Sequence, residues 1–159
     1  MCLVIDACCL AKVFDPTNRQ HGEFVPVWEW ISQGRGRMIY GGTKYVKEMN
    51  EVTKVLRLIT ELERRGRVWI LPQKCVDILA NEIRHKINDN RLNDEHLIAI
   101  VIESRCHVVC TDDREAMPFL KRTALFADYK MKRPRIYQRK MTHWHLCSDK
   151  YVINVLNWK

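Results

Sequence analysis

Short apolar runs that lack the alternation of a half-buried strand constrain the fold of this chain more than any other feature. Segments with helical periodicity separate the runs, which is the pattern of a parallel sheet covered by helices on both faces. The runs predict five strands, at residues 3–5, 38–40, 68–71, 107–110 and 135–137. We therefore expect an α/β fold, a three-layer α/β/α sandwich with a central, mostly parallel sheet.

Helix-capping residues mark the segments between the runs. Thr43 is predicted to cap a long helix that reaches about Arg65 and is closed by Gly66. Asn93 is predicted to cap a helix over residues 94–105, and further helices are expected near residues 24–31, 74–87 and 114–121. No repeat or linker interrupts the chain. Residues 1–159 are thus predicted to form one domain, with a basic C-terminal extension from about 139 to 159.

The composition is that of an ordinary globular protein. Of its 159 residues, 47% are hydrophobic and 29% charged, which excludes disordered and fibrous classes. No window approaches the ~20 apolar residues of a membrane helix, and the N-terminus lacks the basic start of a signal peptide. Seven irregularly spaced cysteines are typical of reduced thiols and not of a disulfide framework. We expect a cytoplasmic protein that does not associate with membranes.

Acidic residues follow two of the predicted strands at the point where each strand ends. Asp6 comes directly after the run 3–5, and Asp112 and Asp113 follow the run 107–110 after Thr111. Because an open α/β sheet binds its ligand at the carboxyl ends of its strands, these acids are candidate site residues. The alternative is that each of them starts a turn or caps a helix.

Two further acids lie on the apolar faces of predicted helices. Glu48 falls roughly 35° from the centre of the apolar stripe of the helix that starts at Thr43. Glu51, at the edge of the stripe, is the rival candidate. Asp94 begins the buried face of its helix, which continues through Leu97, Ile98 and Val101. A favourable interaction with the helix dipole is the alternative explanation for Asp94.

Four converging carboxylates predict a divalent cation. They repel one another unless a cation lies among them, and hard oxygen ligands in this number suit Mg²⁺ or Mn²⁺. Zinc fits less well because the set contains no nitrogen or sulfur ligand. Such a site predicts a metal-dependent phosphodiesterase, in which none of the six histidines is expected to act as a general base.

In order and spacing, the motifs that carry these acids resemble those of the PIN-domain nucleases. The resemblance covers roughly residues 1–140, and its most specific stretch is 93–113. The matching segments are LVIDA (3–7), YVKEM (45–49), NDEHLIAIVIESRCHVVCTDD (93–113) and RIYQ (135–138).

The resemblance implies an acidic metal-binding set made of Asp6, Glu48, Asp94 and Asp113. The family pattern Thr-x-Asp starts here at Thr111, which favours Asp113 over Asp112. The resemblance also implies a Mg²⁺- or Mn²⁺-dependent endoribonuclease that cleaves single-stranded or structured RNA. Many such domains are dimeric toxins that a small antitoxin protein neutralises, so an antitoxin and a homodimer are implied as partners.

Two other functions compete with this one. The first is a PIN-like module that binds RNA or protein without cleaving, which the presence of all four acids disfavours. The second is a phosphatase or phosphotransferase of the haloacid-dehalogenase kind with Asp6 as nucleophile. Those sites resemble Asp-x-Asp, whereas Cys8 occupies the second position here.

The basic residues are concentrated in the last quarter of the chain. Residues 121–159 hold ten lysines and arginines against two aspartates, and this excess equals the formal net charge of +8. Cations interleaved with aromatic rings suit single-stranded RNA, whereas a solvated surface is the alternative. We predict that this segment binds RNA through Lys132, Arg133, Arg135, Arg139, Lys140 and Trp144. The alternative for Trp144 is that it packs the C-terminal segment onto the body.

Overall fold

The fold, in a computed structural model that describes residues 2–149, is built on one five-stranded sheet whose strands are all parallel. The strands lie in the order β3-β2-β1-β4-β5. Each coincides with a predicted apolar run to within one residue at either end. Their bounds are β1 Cys2–Ile5, β2 Arg37–Gly41, β3 Val68–Leu71, β4 Val108–Cys110 and β5 Arg135–Tyr137.

Helices cover both faces of the sheet, which confirms the predicted three-layer α/β/α architecture. α1, α2 and α4 lie together on one face, and α5 and α6 pack against each other on the opposite face. The bounds are α1 Leu10–Phe14, α2 His21–Ser32, α3 Thr43–Glu51, α4 Thr53–Arg64, α5 Gln73–Ile87, α6 Glu95–Ser104, α7 Ala116–Leu120, α8 Thr123–Ala127 and α9 Lys140–His143. The strands between these layers are almost fully buried, apart from the edge strands.

The strand order places a topological switch point between β1 and β4. From β1 the chain adds β2 and then β3 on one side, and it later returns to add β4 and β5 on the other side. β1 and β4 are hydrogen-bonded neighbours, with Ile5 opposite Cys110. In open α/β sheets a ligand binds in the crevice outside the strand ends at such a point.

The single long helix predicted from Thr43 to Arg65 is wrong. Val52 ends α3 with φ −94° and ψ 60°, and α4 begins at the next residue. The break has a packing reason: α3 contacts α5 and α6, whereas α4 contacts α1 and β3 on the other side of the sheet. A straight helix could not reach both layers.

The predicted caps are also shifted by one residue. Gly42 is the N-cap of α3, and its φ of +82° favours glycine. Thr43 instead lies inside the helix and donates from its backbone N–H and its hydroxyl to the Asp77 carboxylate. Similarly, Asp94 and not Asn93 is the N-cap of α6, and its side chain makes no capping hydrogen bond.

The described part of the C-terminal segment packs against α2. Tyr137 donates from its hydroxyl to the Glu23 carbonyl at 2.8 Å, and Trp30 donates from Nε1 to Asp149 at 2.9 Å. Residues 150–159, the rest of the predicted basic extension, lie outside the described residues. Within residues 2–149 no helix has the length and hydropathy needed to cross a membrane.

Candidate functional site

The parallel pairing of β1 with β4 brings two of the predicted acids to one end of the sheet. Asp6 directly follows β1, and its backbone N–H continues the ladder by donating to the Cys110 carbonyl at 2.9 Å. Asp113 lies three residues after β4, beyond Thr111. Both acids are therefore at the switch point between the two strands, as the rule for open sheets predicts.

A threonine joins these two acids. The Thr111 hydroxyl donates to Asp6 Oδ2 at 2.6 Å and accepts from the Asp113 backbone N–H at 3.0 Å. Thr111 is fully buried and Asp6 is 5% exposed. Burial raises the pKa of Asp6, an effect that the Thr111 hydroxyl opposes and the Asp113 charge reinforces. In the sequence, Thr111 serves only to align the Thr-x-Asp pattern with Asp113. Its role in positioning Asp6 was not predicted.

Asp94 has the most perturbed carboxylate of the set. It lies half-buried at the start of α6, and its pKa is raised to about 7. Burial is the main cause, and the nearby charges of Asp6, Asp113 and Glu48 add to it, while Lys44 acts in the opposite direction. Three carboxylates from other parts of the chain thus raise the pKa of Asp94. A residue that served only as a helix N-cap would not need these acidic neighbours.

Glu48 approaches the same region from α3. Its half-buried carboxylate contacts His96 Nε2 through Oε2 at 3.1 Å, and burial raises its pKa, as do Asp6 and other acids. Burial lowers the pKa of His96 to about 4, so this imidazole is neutral at pH 7 and donates a hydrogen bond. Glu51, the rival candidate, is exposed.

His96 is a site residue that the sequence argument overlooked. It is 2% exposed, its ring lies 6.4 Å from that of Tyr45, and no hydrogen-bond partner for its Nδ1 exists among the described residues. The available signal was its place within the segment 93–113, two residues after Asp94. The sequence pattern predicts no general base among the histidines and carries no separate signal for a positioning role of His96.

Asp6, Glu48, Asp94 and Asp113 lie near enough to one another for their charges to raise the pKa values of the first three, but they do not form a compact ligand cluster. Within residues 2–149, only Cys8, Cys9 and Asp112 form a group of three ligand atoms within 4.8 Å of one another. Unscreened carboxylates in a buried region repel one another, which is a physical reason for the wider spacing of Asp6, Glu48, Asp94 and Asp113.

Asp112 is engaged differently from Asp113. Lys12 donates to Asp112 Oδ2 at 2.5 Å, and the thiols of Cys9 and Cys8 lie 3.4 Å and 3.7 Å from Oδ1. Burial acts to raise the pKa of Asp112, but these donors and the Lys12 charge hold it below its ordinary value. Since Lys12 already neutralises this carboxylate, Asp113 is the better member of the acidic set.

The predicted RNA-binding residues lie on the surface. Lys132, Arg133, Arg135, Arg139 and Lys140 are exposed. Trp144 is 59% exposed, so the alternative that it packs the C-terminal segment onto the body is wrong. Leu146 and Cys147, which are buried, take that role.

Comparisons of the chain with protein-family models, with curated proteins and with solved structures gave no match.

Proposed function

We propose that this protein is a metal-dependent endoribonuclease of the PIN type that cleaves single-stranded or structured RNA. The observation that carries the proposal is the proximity of four carboxylates from different elements, two of which, Asp6 and Asp113, lie at the switch point of the parallel sheet. The raised pKa of Asp94, which Asp6, Asp113 and Glu48 increase together, supports a common site. A fold gains no stability from such repulsion, so a ligand is the better explanation.

The donor set fits Mg²⁺ or Mn²⁺. Asp6, Glu48, Asp94 and Asp113 offer only oxygen atoms, which are the ligands that these ions prefer. When bound, such an ion acts as a Lewis acid on a phosphate and lowers the pKa of a bound water. Asp6, Glu48 and Asp94 all have raised pKa values, so a cation would compete with protons and bind better as pH rises.

The surrounding side chains orient the acids. Thr111 fixes Asp6, and the same hydroxyl holds the backbone that carries Asp113. His96 holds Glu48 as a neutral donor and does not serve as a base. Hydrolysis would form one P–O bond from water and break another, leaving a phosphate on one product and a hydroxyl on the other. The exposed cations of the C-terminal segment favour RNA, a polyanion, as the substrate.

Cleavage of single-stranded RNA with Mn²⁺ or Mg²⁺ tests the proposal. Asp94→Asn removes one acid of the set and is expected to reduce cleavage at least 100-fold, and EDTA should abolish it. Glu103→Gln is the matched control, since Glu103 is exposed on the same helix and its loss changes the charge equally. The control should cleave like the wild type.

Two outcomes would contradict the proposal. Cleavage that persists in Asp94→Asn and in EDTA would show that the acidic set and its metal do not take part in the reaction. A folded wild-type protein that binds RNA but cleaves none of a range of RNAs would favour the non-cleaving PIN-like module instead.

The toxin role, the antitoxin and the homodimer rest on the resemblance alone. They predict that expression arrests growth and that a separate small protein relieves the arrest. An Asp94→Asn protein expressed at the same level should be harmless. Growth arrest that persists with this variant would show that the toxicity does not depend on the acidic site.

A further inference from the structure

A basic groove runs along the outer edge of β5, the last strand of the sheet. Its volume is about 310 Å³, and its polar lining consists of Lys121, Arg133, Arg135, Gln138, His143 and His145. We infer that this groove binds a single-stranded segment of RNA and leads it to the acidic site. The inference rests on the proposed function and adds a binding site that includes residues outside the predicted RNA-binding set.

The charge of the groove is of one sign. Three of its lining residues, Lys121, Arg133 and Arg135, are exposed cations, and no carboxylate lines it among residues 2–149. Some other surface cations are paired with carboxylates, as Lys86 is with Asp128 and Arg122 is with Asp89. A concave surface of uncompensated positive charge attracts polyphosphates by counterion release.

The groove begins at the amino end of β5 and ends at Gln138, next to the strand end that is hydrogen-bonded to Thr111. Arg133 and Arg135 lie at its amino end, whereas Gln138 directly follows the strand. Tyr137, the residue before Gln138, accepts from the Thr111 backbone N–H at 3.1 Å, and Thr111 is the residue that holds Asp6. Gln138 also donates from Nε2 to Met117 Sδ at 3.0 Å, which fixes this end of the groove against α7. A strand bound along β5 would therefore reach the loop 111–113.

The size and the rings of the groove favour a single strand over a duplex. A volume of about 310 Å³ is that of a small-ligand site, which suits a short unpaired segment. The imidazole rings of His143 and His145 line it, and Trp144, between them in sequence, is 59% exposed. Unpaired bases stack on such rings, whereas the bases of a duplex are not accessible for stacking.

The test is RNA binding by the full chain in EDTA, where no metal-dependent cleavage can occur. Arg133→Gln with Arg135→Gln removes two groove cations, and Arg57→Gln with Arg64→Gln removes two exposed cations from α4. The probe is a fluorescein-labelled oligouridylate, measured by anisotropy over a range of KCl concentrations. We expect the groove variant to bind at least 10-fold more weakly, with a salt slope smaller by about 1.4, since each lost phosphate contact contributes about 0.7.

The control variant is expected to bind within 3-fold of the wild type. If the two variants weaken RNA binding equally, or if neither weakens it, the groove is not the RNA-binding site. A duplex of the same length that competes as well as the single strand would overturn the assignment to single-stranded RNA. Circular dichroism and the Tm establish that both variants are folded.

The groove and the proposed function can fail separately. Binding that depends on Arg133 and Arg135 without any cleavage would support the groove and contradict the nuclease. Metal-dependent cleavage that the groove variant retains in full, with unchanged RNA affinity, would support the nuclease and overturn the groove.

Discussion

The Thr111 hydroxyl donates a 2.6 Å hydrogen bond to Asp6 Oδ2 and so connects the ends of β4 and β1. The same oxygen accepts from the Asp113 backbone N–H, so one buried atom sets the positions of two of the four acids. A carboxylate held in this way loses little freedom on binding a cation, and outer hydrogen-bond partners of this kind contribute to metal affinity.

Replacement of this hydroxyl should therefore reduce activity. Thr111→Val keeps the shape but leaves the buried Asp6 oxygen and the Asp113 N–H without their partner. We expect a loss of about 1–3 kcal/mol in the free energy of unfolding and a roughly 10–100-fold loss of cleavage. Thr111→Ser retains the hydroxyl and should keep most of the activity. Equal activity of the two variants in a folded protein would contradict the positioning role.

Asp94 should make the metal-free protein less stable as the pH rises. Its pKa is about 7 in the fold against an ordinary value of 3.8, so the folded state binds this proton more tightly than the unfolded state. The free energy of unfolding therefore falls as the pH rises from about 4 to 7. In EDTA at pH 8, Asp94→Asn should be more stable than the wild type by about 1 kcal/mol or more, which is roughly 2–4 °C in Tm.

The pH dependence is the control on this prediction. The advantage of Asp94→Asn should shrink at pH 5, where the wild-type Asp94 is protonated in the fold. Glu103→Gln, on the exposed side of α6, should show no such dependence. An Asp94→Asn advantage that is the same at pH 5 and pH 8 would contradict the raised pKa.

His96 should act by holding Glu48 and not by transferring a proton. Gln places an amide N–H near the position of Nε2, so His96→Gln should retain the bond to Glu48 and most of the cleavage activity. His96→Leu cannot donate, and we expect a roughly 10-fold or greater loss of activity. Because the imidazole is already neutral above about pH 4, the pH profile of His96→Gln should match that of the wild type between pH 5 and 8. A shifted profile would show that His96 takes part in the proton transfer.

Asp112 and Asp113 should differ sharply although they are adjacent. Asp113→Asn removes a member of the proposed acidic set, and we expect cleavage to fall at least 100-fold. Asp112→Asn removes the partner of Lys12, a half-buried ion pair beside the site, and we expect activity within a few-fold of the wild type. Single-turnover cleavage rates measured side by side decide between them. A greater loss of cleavage in Asp112→Asn than in Asp113→Asn would show that Asp112, and not Asp113, belongs to the acidic set.

The apolar pattern of the chain is enough to predict the sheet. Short runs such as 3–5 and 38–40 are apolar on both sides of the strand, and a sheet covered on both faces buries them. Parallel strands then bring their carboxyl ends to one edge, so Asp6 and Asp113 could be assigned to the same end of the sheet from local patterns alone.

The hydrogen bonds that hold the acids and the spacing between them depend on tertiary contacts. The break at Val52 depends on two helix faces packing against different layers, which no local signal in the helix pattern encodes. Thr111 and His96 are ordinary residues in sequence, and they gain a role because the fold brings them to Asp6 and Glu48 across 105 and 48 residues of chain. Lys12 likewise distinguishes Asp112 from Asp113 through a contact across 100 residues. Periodicity and spacing report on neighbours along the chain, whereas these contacts follow from the packing of distant segments.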